Sequence, residues 1–160
     1  MLTFFAHLTA SWSSWYSNSA PLRTAVEFAH VGGLIAGGGT AIAADRLTIQ
    51  AARRDADARQ RQIHHIENVH FVVLAGLAFV VASGLLLFLA DIDTYLHSKV
   101  FWVKMACVVA LVANGARLVV AGRRAEVGSV DGWIELKRAA VASLALWFLT
   151  TLFGVALPNV

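Results

Sequence analysis

VHFVVLAGLAFVVASGLLLFLA, residues 69–90, holds no Asp, Glu, Lys or Arg. A helix that crosses the ~30 Å hydrocarbon core of a bilayer needs ~20 mostly apolar residues, and this stretch supplies them. Its apolar residues do not alternate with polar ones from Phe71 to Ala90, so it is not a barrel strand. Backbone polar groups in lipid must be satisfied within the segment, which makes a run of this kind a helix.

Three further runs have the same character: residues 24–44, 100–121 and 139–157. Apolar residues make up 58% of the chain and charged residues only 14%, against about a quarter charged in a soluble domain. The expected fold is all-α: a four-transmembrane-helix up-down bundle, residues 1–160 forming one integral membrane domain in the lipid bilayer. Residues 1–18 are apolar, and no basic residue precedes them as it would in a signal peptide. Phe5, Leu8, Trp12 and Trp15 recur at helical spacing, while Thr3, His7, Ser11 and Ser14 fall elsewhere. That pattern predicts an N-terminal amphipathic surface helix anchored by indole rings. Ser19-Ala-Pro21 then breaks and restarts the chain.

The net charge is +3. Its distribution points to topology rather than to nucleic acid, for which no motif is present. Arg46, Arg53, Arg54, Arg59 and Arg61 lie between the first two runs; Arg123, Arg124, Lys137 and Arg138 frame the connector between the last two. The excess of basic residues on one side puts both connectors in the cytoplasm, and both termini with the 91–99 connector on the other face. The charged stretch 45–68 reads as a solvated helical reversal, with Asp55 or Asp57 capping the next helix. Tyr95, Phe101 and Trp102 form an aromatic belt, Asp131 caps the fourth helix, and Trp133 sits at the inner interface. Cys107 stands alone, so no intramolecular disulfide forms, and it reads as an apolar filler.

Two ionisable residues lie inside the runs. His30 is ~9 Å and Lys104 ~6 Å below the same boundary at 1.5 Å per residue. Glu27 sits one turn above His30, and Asp91, His97 and Lys99 lie on the adjoining turn. Gly33, Gly37, Ala41 and Ala44 continue the His30 stripe at ~100° per residue. One reading is structural: a Glu27–Lys104 ion pair locks helix to helix, and the glycines admit a neighbouring backbone. The other is a cofactor pocket, because neutral imidazole ligates haem iron or copper. His30 is then the metal ligand, Gly33 and Gly37 make room for a porphyrin face, and Lys104 pairs with a propionate or ligates. His64, Glu67 and His70 drift around ~120° of helix surface and form no tight face; with His65 they read as interfacial. Asn114 reads as a hydrogen bond across helices, and Arg117 as reaching for headgroups.

Phe28-Ala-His30-Val-Gly-Gly33 and Phe101-Trp-Val-Lys104-Met resemble the CopD/HemJ-like superfamily of small bacterial four-helix membrane proteins. The first surface helix and Ala82-Ser-Gly84 before an acidic aromatic turn look closest to an uncharacterised branch. The resemblance implies a bacterial inner membrane location and gives His30 and Lys104 a part in haem binding or catalysis. In the HemJ-type oxidases a tyrosine–histidine pair follows in the third helix; Ala113-Asn114 stands near its place, and no methionine cluster suits copper handling. The expectation is therefore a haem b electron-transport component partnered by a quinone or another membrane subunit. A non-catalytic accessory subunit of a larger membrane complex is the alternative, its glycine face docking that complex and its arginines contacting anionic lipid.

Overall fold

A computed structural model describes the backbone of residues 2–159 and the side chains of residues 9–66 and 69–159. The order is α1 (Leu2–Asn18), α2 (Ala20–Gly33), a π-helical turn (Leu34–Gly38), α3 (Gly39–Ala51), α4 (Ala56–Ala90), α5 (Ile92–His97), α6 (Lys99–Glu126), α7 (Val130–Ala156) and a 3-10 turn (Leu157–Asn159). The described residues contain no strand. Four helices are long and apolar enough to cross a membrane: Ala20–Ala51 (span 1), Val69–Ala90 (span 2), Lys99–Glu126 (span 3) and Val130–Asn159 (span 4). The chain has the make-up of a multi-pass membrane protein.

Local chemistry sets the boundaries. The Ser19 hydroxyl accepts from Leu22 N–H, with Pro21 in the first turn of α2. Asp55 caps α4 through Ala58 N–H at 2.8 Å, as the sequence led one to expect. Asp91 and Ser98 cap α5 and α6. At α7 the expectation is corrected: Ser129, not Asp131, accepts from Gly132 N–H at 3.1 Å. Asp131 instead lies in the first turn, where its charge suits the helix dipole. Gly128, at φ +81°, supplies the left-handed residue that ends α6.

Span 1 packs along span 2, and span 3 along span 4. The two hairpins join where α3 lies against α7, while α4 and α6 barely touch. The span 1–span 2 seam is glycine on glycine. A Cβ on Gly76 would stand 2.5 Å from both Cα and N of Gly37, and one on Gly33 would stand 2.9 Å from the Gly76 carbonyl oxygen. No side chain larger than hydrogen fits between these backbones. The π-helical turn matters here, because it sends adjacent glycines to different neighbours: Gly37 meets span 2, and Gly38 lies under the Trp147 ring of span 4. Thr40 donates its hydroxyl to the Ala36 carbonyl within that turn, at 2.6 Å.

At the arginine-rich end, Ala51, Ile63, Ala121, Ala125, Trp133 and Leu136 form a buried cluster. Trp133, which the sequence placed at the inner interface, is packed inside the protein. It is buried, with the Arg59 guanidinium 5.7 Å from its ring centroid. The stretch 45–68 is also less solvated than its charge suggests, since Asp45, Thr48, Ala51, Gln62 and Ile63 are buried. Both helices continue past their apolar runs and pack on each other there.

At the opposite end, α1 crosses α4. Trp12 donates its indole N–H to the Leu86 carbonyl at 2.8 Å, and the Ser13 hydroxyl donates to the Ala90 carbonyl at 2.7 Å. Trp15 stays exposed. The expectations for Phe5, His7 and Leu8 lie outside the described side chains. Phe101 stacks on Phe88 with centroids 5.5 Å apart, and Tyr95 and Trp102 pack on its other edges, so these rings form one aromatic cluster.

Candidate functional site

His30 projects from α2 toward span 2. Its Nδ1 lies 3.1 Å from the Ser83 hydroxyl oxygen. The hydroxyl's own proton goes to main-chain carbonyls, those of Phe79 and Val80. Carbonyls only accept, so the Ser83 oxygen is left to accept from the ring. Nδ1 therefore carries the hydrogen, and Nε2 carries the lone pair. A neighbour's glycine makes this fit possible: a Cβ on Gly84 would stand 3.2 Å from the imidazole Cε1.

Lys104 projects from span 3 toward span 4. Its Nζ would be 3.5 Å from a Cβ on Gly154 of span 4, and its charge acts on the His30 imidazole through space. Among the described residues it makes no hydrogen bond or ion pair. An ammonium half-buried within apolar helices and left without a partner is an expensive arrangement. Such a charge marks a place where something negative or electron-rich fits.

The remaining sequence candidates separate. Glu27 does not pair with Lys104; its Oε1 accepts from the Tyr16 hydroxyl at 3.2 Å, tying α1 to α2. Burial, and then the hydrogen bond and charge of Glu27, push the Tyr16 phenol up to about 12. His97 is exposed and donates Nδ1–H to the Asp93 carbonyl at 2.7 Å, finishing α5. Gly33 and Gly37 face Gly76, so the room they make is taken by the backbone of span 2 rather than left for a planar ring. His65 and His70 are exposed, the Glu67 side chain lies outside the described residues, and no three acidic, His or Cys groups converge among the described residues.

The structure gives specific roles to three residues to which the sequence reading gave none at a site. Ser83 fixes the His30 tautomer. Tyr16 takes the role assigned to Lys104 beside Glu27. Asp45, read as part of a solvated connector, is buried against Ser143 of span 4. Asn114 makes the expected bond across helices, to the Ala139 carbonyl at 2.8 Å.

Comparisons with family models, with curated proteins and with solved structures gave no match for this chain.

Proposed function

We propose that this chain is an up-down four-helix bundle of a bacterial inner membrane, its arginine-rich end in the cytoplasm, and that it serves as a redox component holding haem b through His30. The resemblance to the CopD/HemJ-like superfamily suggests this reading. The observation that carries it is the fixed tautomer of His30. Ligating histidines characteristically donate their second ring nitrogen to a buried acceptor, which orients the ring and keeps the other nitrogen basic. Ser83 is that acceptor here. Haem, when bound, supplies one-electron exchange at its iron. The chain's own residues supply the rest: His30 Nε2 offers the lone pair, and Lys104 offers a positive charge for a propionate. The surrounding apolar helices exclude water. The backbone of span 2 closes the face at Gly33 and Gly37.

The test is a visible spectrum of the full chain, purified in mild detergent from cells supplied with haem, before and after dithionite. A Soret band that shifts on reduction is expected. It should vanish in His30→Gly and return when imidazole is added, which separates ligation from misfolding. Ser83→Ala should keep the band and weaken haem retention by about tenfold, the size of one lost buried hydrogen bond. A colourless preparation overturns the proposal. It would favour the accessory-subunit reading, which is supported by the open seam between span 2 and span 3, where a helix of another subunit would fit.

A further inference from the structure

We infer that Asp45, with Ser143, binds a small exchangeable monovalent cation, a proton or a sodium ion, in the seam between span 1 and span 4. This site lies toward the arginine-rich end, away from His30, and does not depend on the haem reading.

Asp45 is 6% exposed, and its Oδ2 is sealed from solvent without a hydrogen-bond partner. The Ser143 hydroxyl of α7 is the group that interacts with its carboxyl. The other elements around the seam offer no cation. From α4, the Gln62 amide is committed to the Ala44 carbonyl at 3.2 Å and the Thr48 hydroxyl at 3.0 Å. From α6, Asn114 donates to the Ala139 carbonyl, the same carbonyl that receives the Ser143 N–H in a regular helix. Asn114 thus stands beside Ser143, and its own Oδ1 is buried without a partner. Arg46, the next residue in sequence, is turned outward and exposed. No Lys, Arg or His forms an ion pair with Asp45 among the described residues.

A lone carboxylate in such a place is strongly disfavoured, and buried charges are paired, neutralised or bound to ions. No side chain balances Asp45, so its counter-charge comes from outside the chain. The orphaned oxygen of Asp45 is an acceptor, the chemistry that a proton or a hard monovalent cation satisfies. An acidic residue of this kind within membrane helices characteristically marks an ion or proton path. The polar face continues along α7 to Thr150, whose hydroxyl is also buried without a partner, with Trp147 between them.

The full-length protein, in detergent and in liposomes, is treated with dicyclohexylcarbodiimide, a lipophilic reagent that couples to carboxylic acids in apolar surroundings, and the adduct is located by peptide mass spectrometry. Labelling at Asp45 is expected. If the ion is a proton, labelling falls by roughly tenfold or more between about pH 5 and about pH 9 and ignores sodium. If it is sodium, labelling at fixed pH falls with sodium chloride and not with choline chloride. Ser143→Ala should move the midpoint of whichever response is seen by about tenfold in ion concentration. The neutral isostere Asp45→Asn needs no counter-ion, so its melting temperature should equal or exceed the parent's. No label at Asp45, label indifferent to both ions, or a lowered melting temperature in Asp45→Asn would each overturn the proposal.

Discussion

The two ends of this helical array cohere by different physics. At the arginine-rich end, Trp133, Leu136, Ile63, Ala51, Ala121 and Ala125 close a side-chain core beyond the most apolar part of each run, where water is the competing solvent. Burial there draws on the hydrophobic effect. Between spans 1 and 2, the competing solvent is lipid, which is as apolar as leucine, so burial of apolar area gains little. Cohesion there comes from the close approach of backbones at Gly33, Gly37 and Gly76. A residue's stabilising value in this chain therefore depends on its depth as much as on its burial.

That contrast can be broken most severely at Trp133. Trp133→Ala empties the core and removes the surface under Arg59, at a cost of about 3–5 kcal/mol. The measurement is reversible unfolding in detergent, and a loss below about 1 kcal/mol would remove the aqueous-core account. The glycine seam should be the next most sensitive place. Gly76→Ala drives a methyl into the Gly37 backbone and should cost about 1–3 kcal/mol, although alanine is the better helix former. Gly115→Ala is its control: nothing lies within 4 Å of a Cβ there, so the same exchange should be neutral or stabilising by up to about 1 kcal/mol. Equal effects at the two glycines would show that helix propensity, not backbone approach, governs the seam.

The smallest effect is at α1. Tyr16 has its folded pKa raised from 10.0 to about 12, by burial first and by Glu27 second. Its neutral form is the one favoured by folding. The stabilisation is complete below about pH 10 and is lost as pH rises to about 12. Between those values α1 should loosen from α2, read as tyrosinate absorbance with release of Trp12. Tyr95 is raised too, by burial and then by Asp91, so the Tyr16 signal is isolated by difference against Tyr16→Phe.

Much of the architecture was legible because bilayer thickness imposes a length that composition records directly. The four runs each fall within a helix, and the Asp55 cap and the Phe101 aromatic cluster occur where side-chain chemistry called for them. Depth reckoning had put Lys104 near His30, and the Lys104 charge does act on that imidazole. Ser83 was read only within the Ala82-Ser-Gly84 stretch, although the same reckoning reaches it as a partner for His30: it lies seven residues from the end of span 2, ~10 Å deep. Asp45 was hidden for another reason. Its neighbour Arg46 and the charges that follow made the segment look uniformly solvated, yet a helix turns ~100° between adjacent residues and can bury one while exposing the next. The stripe Gly38, Ala41, Asp45, Thr48, at steps of three and four, was the available signal. Glu27 was misassigned because sequence spacing does not show which way a separate helix will present its tyrosine.

The widened turn at Leu34–Gly38 has a consequence for how this chain tolerates changes in length. It works as a phase shifter on a single shaft, setting the angle of everything in α3 against everything in α2. Removal of one residue within it would rewind the shaft by ~100°. The histidine half would keep its bearing on span 2, while Asp45 would swing out of its slot beside Ser143. Length in these few positions is thus a coordinate shared by both sites, even though neither site contains them.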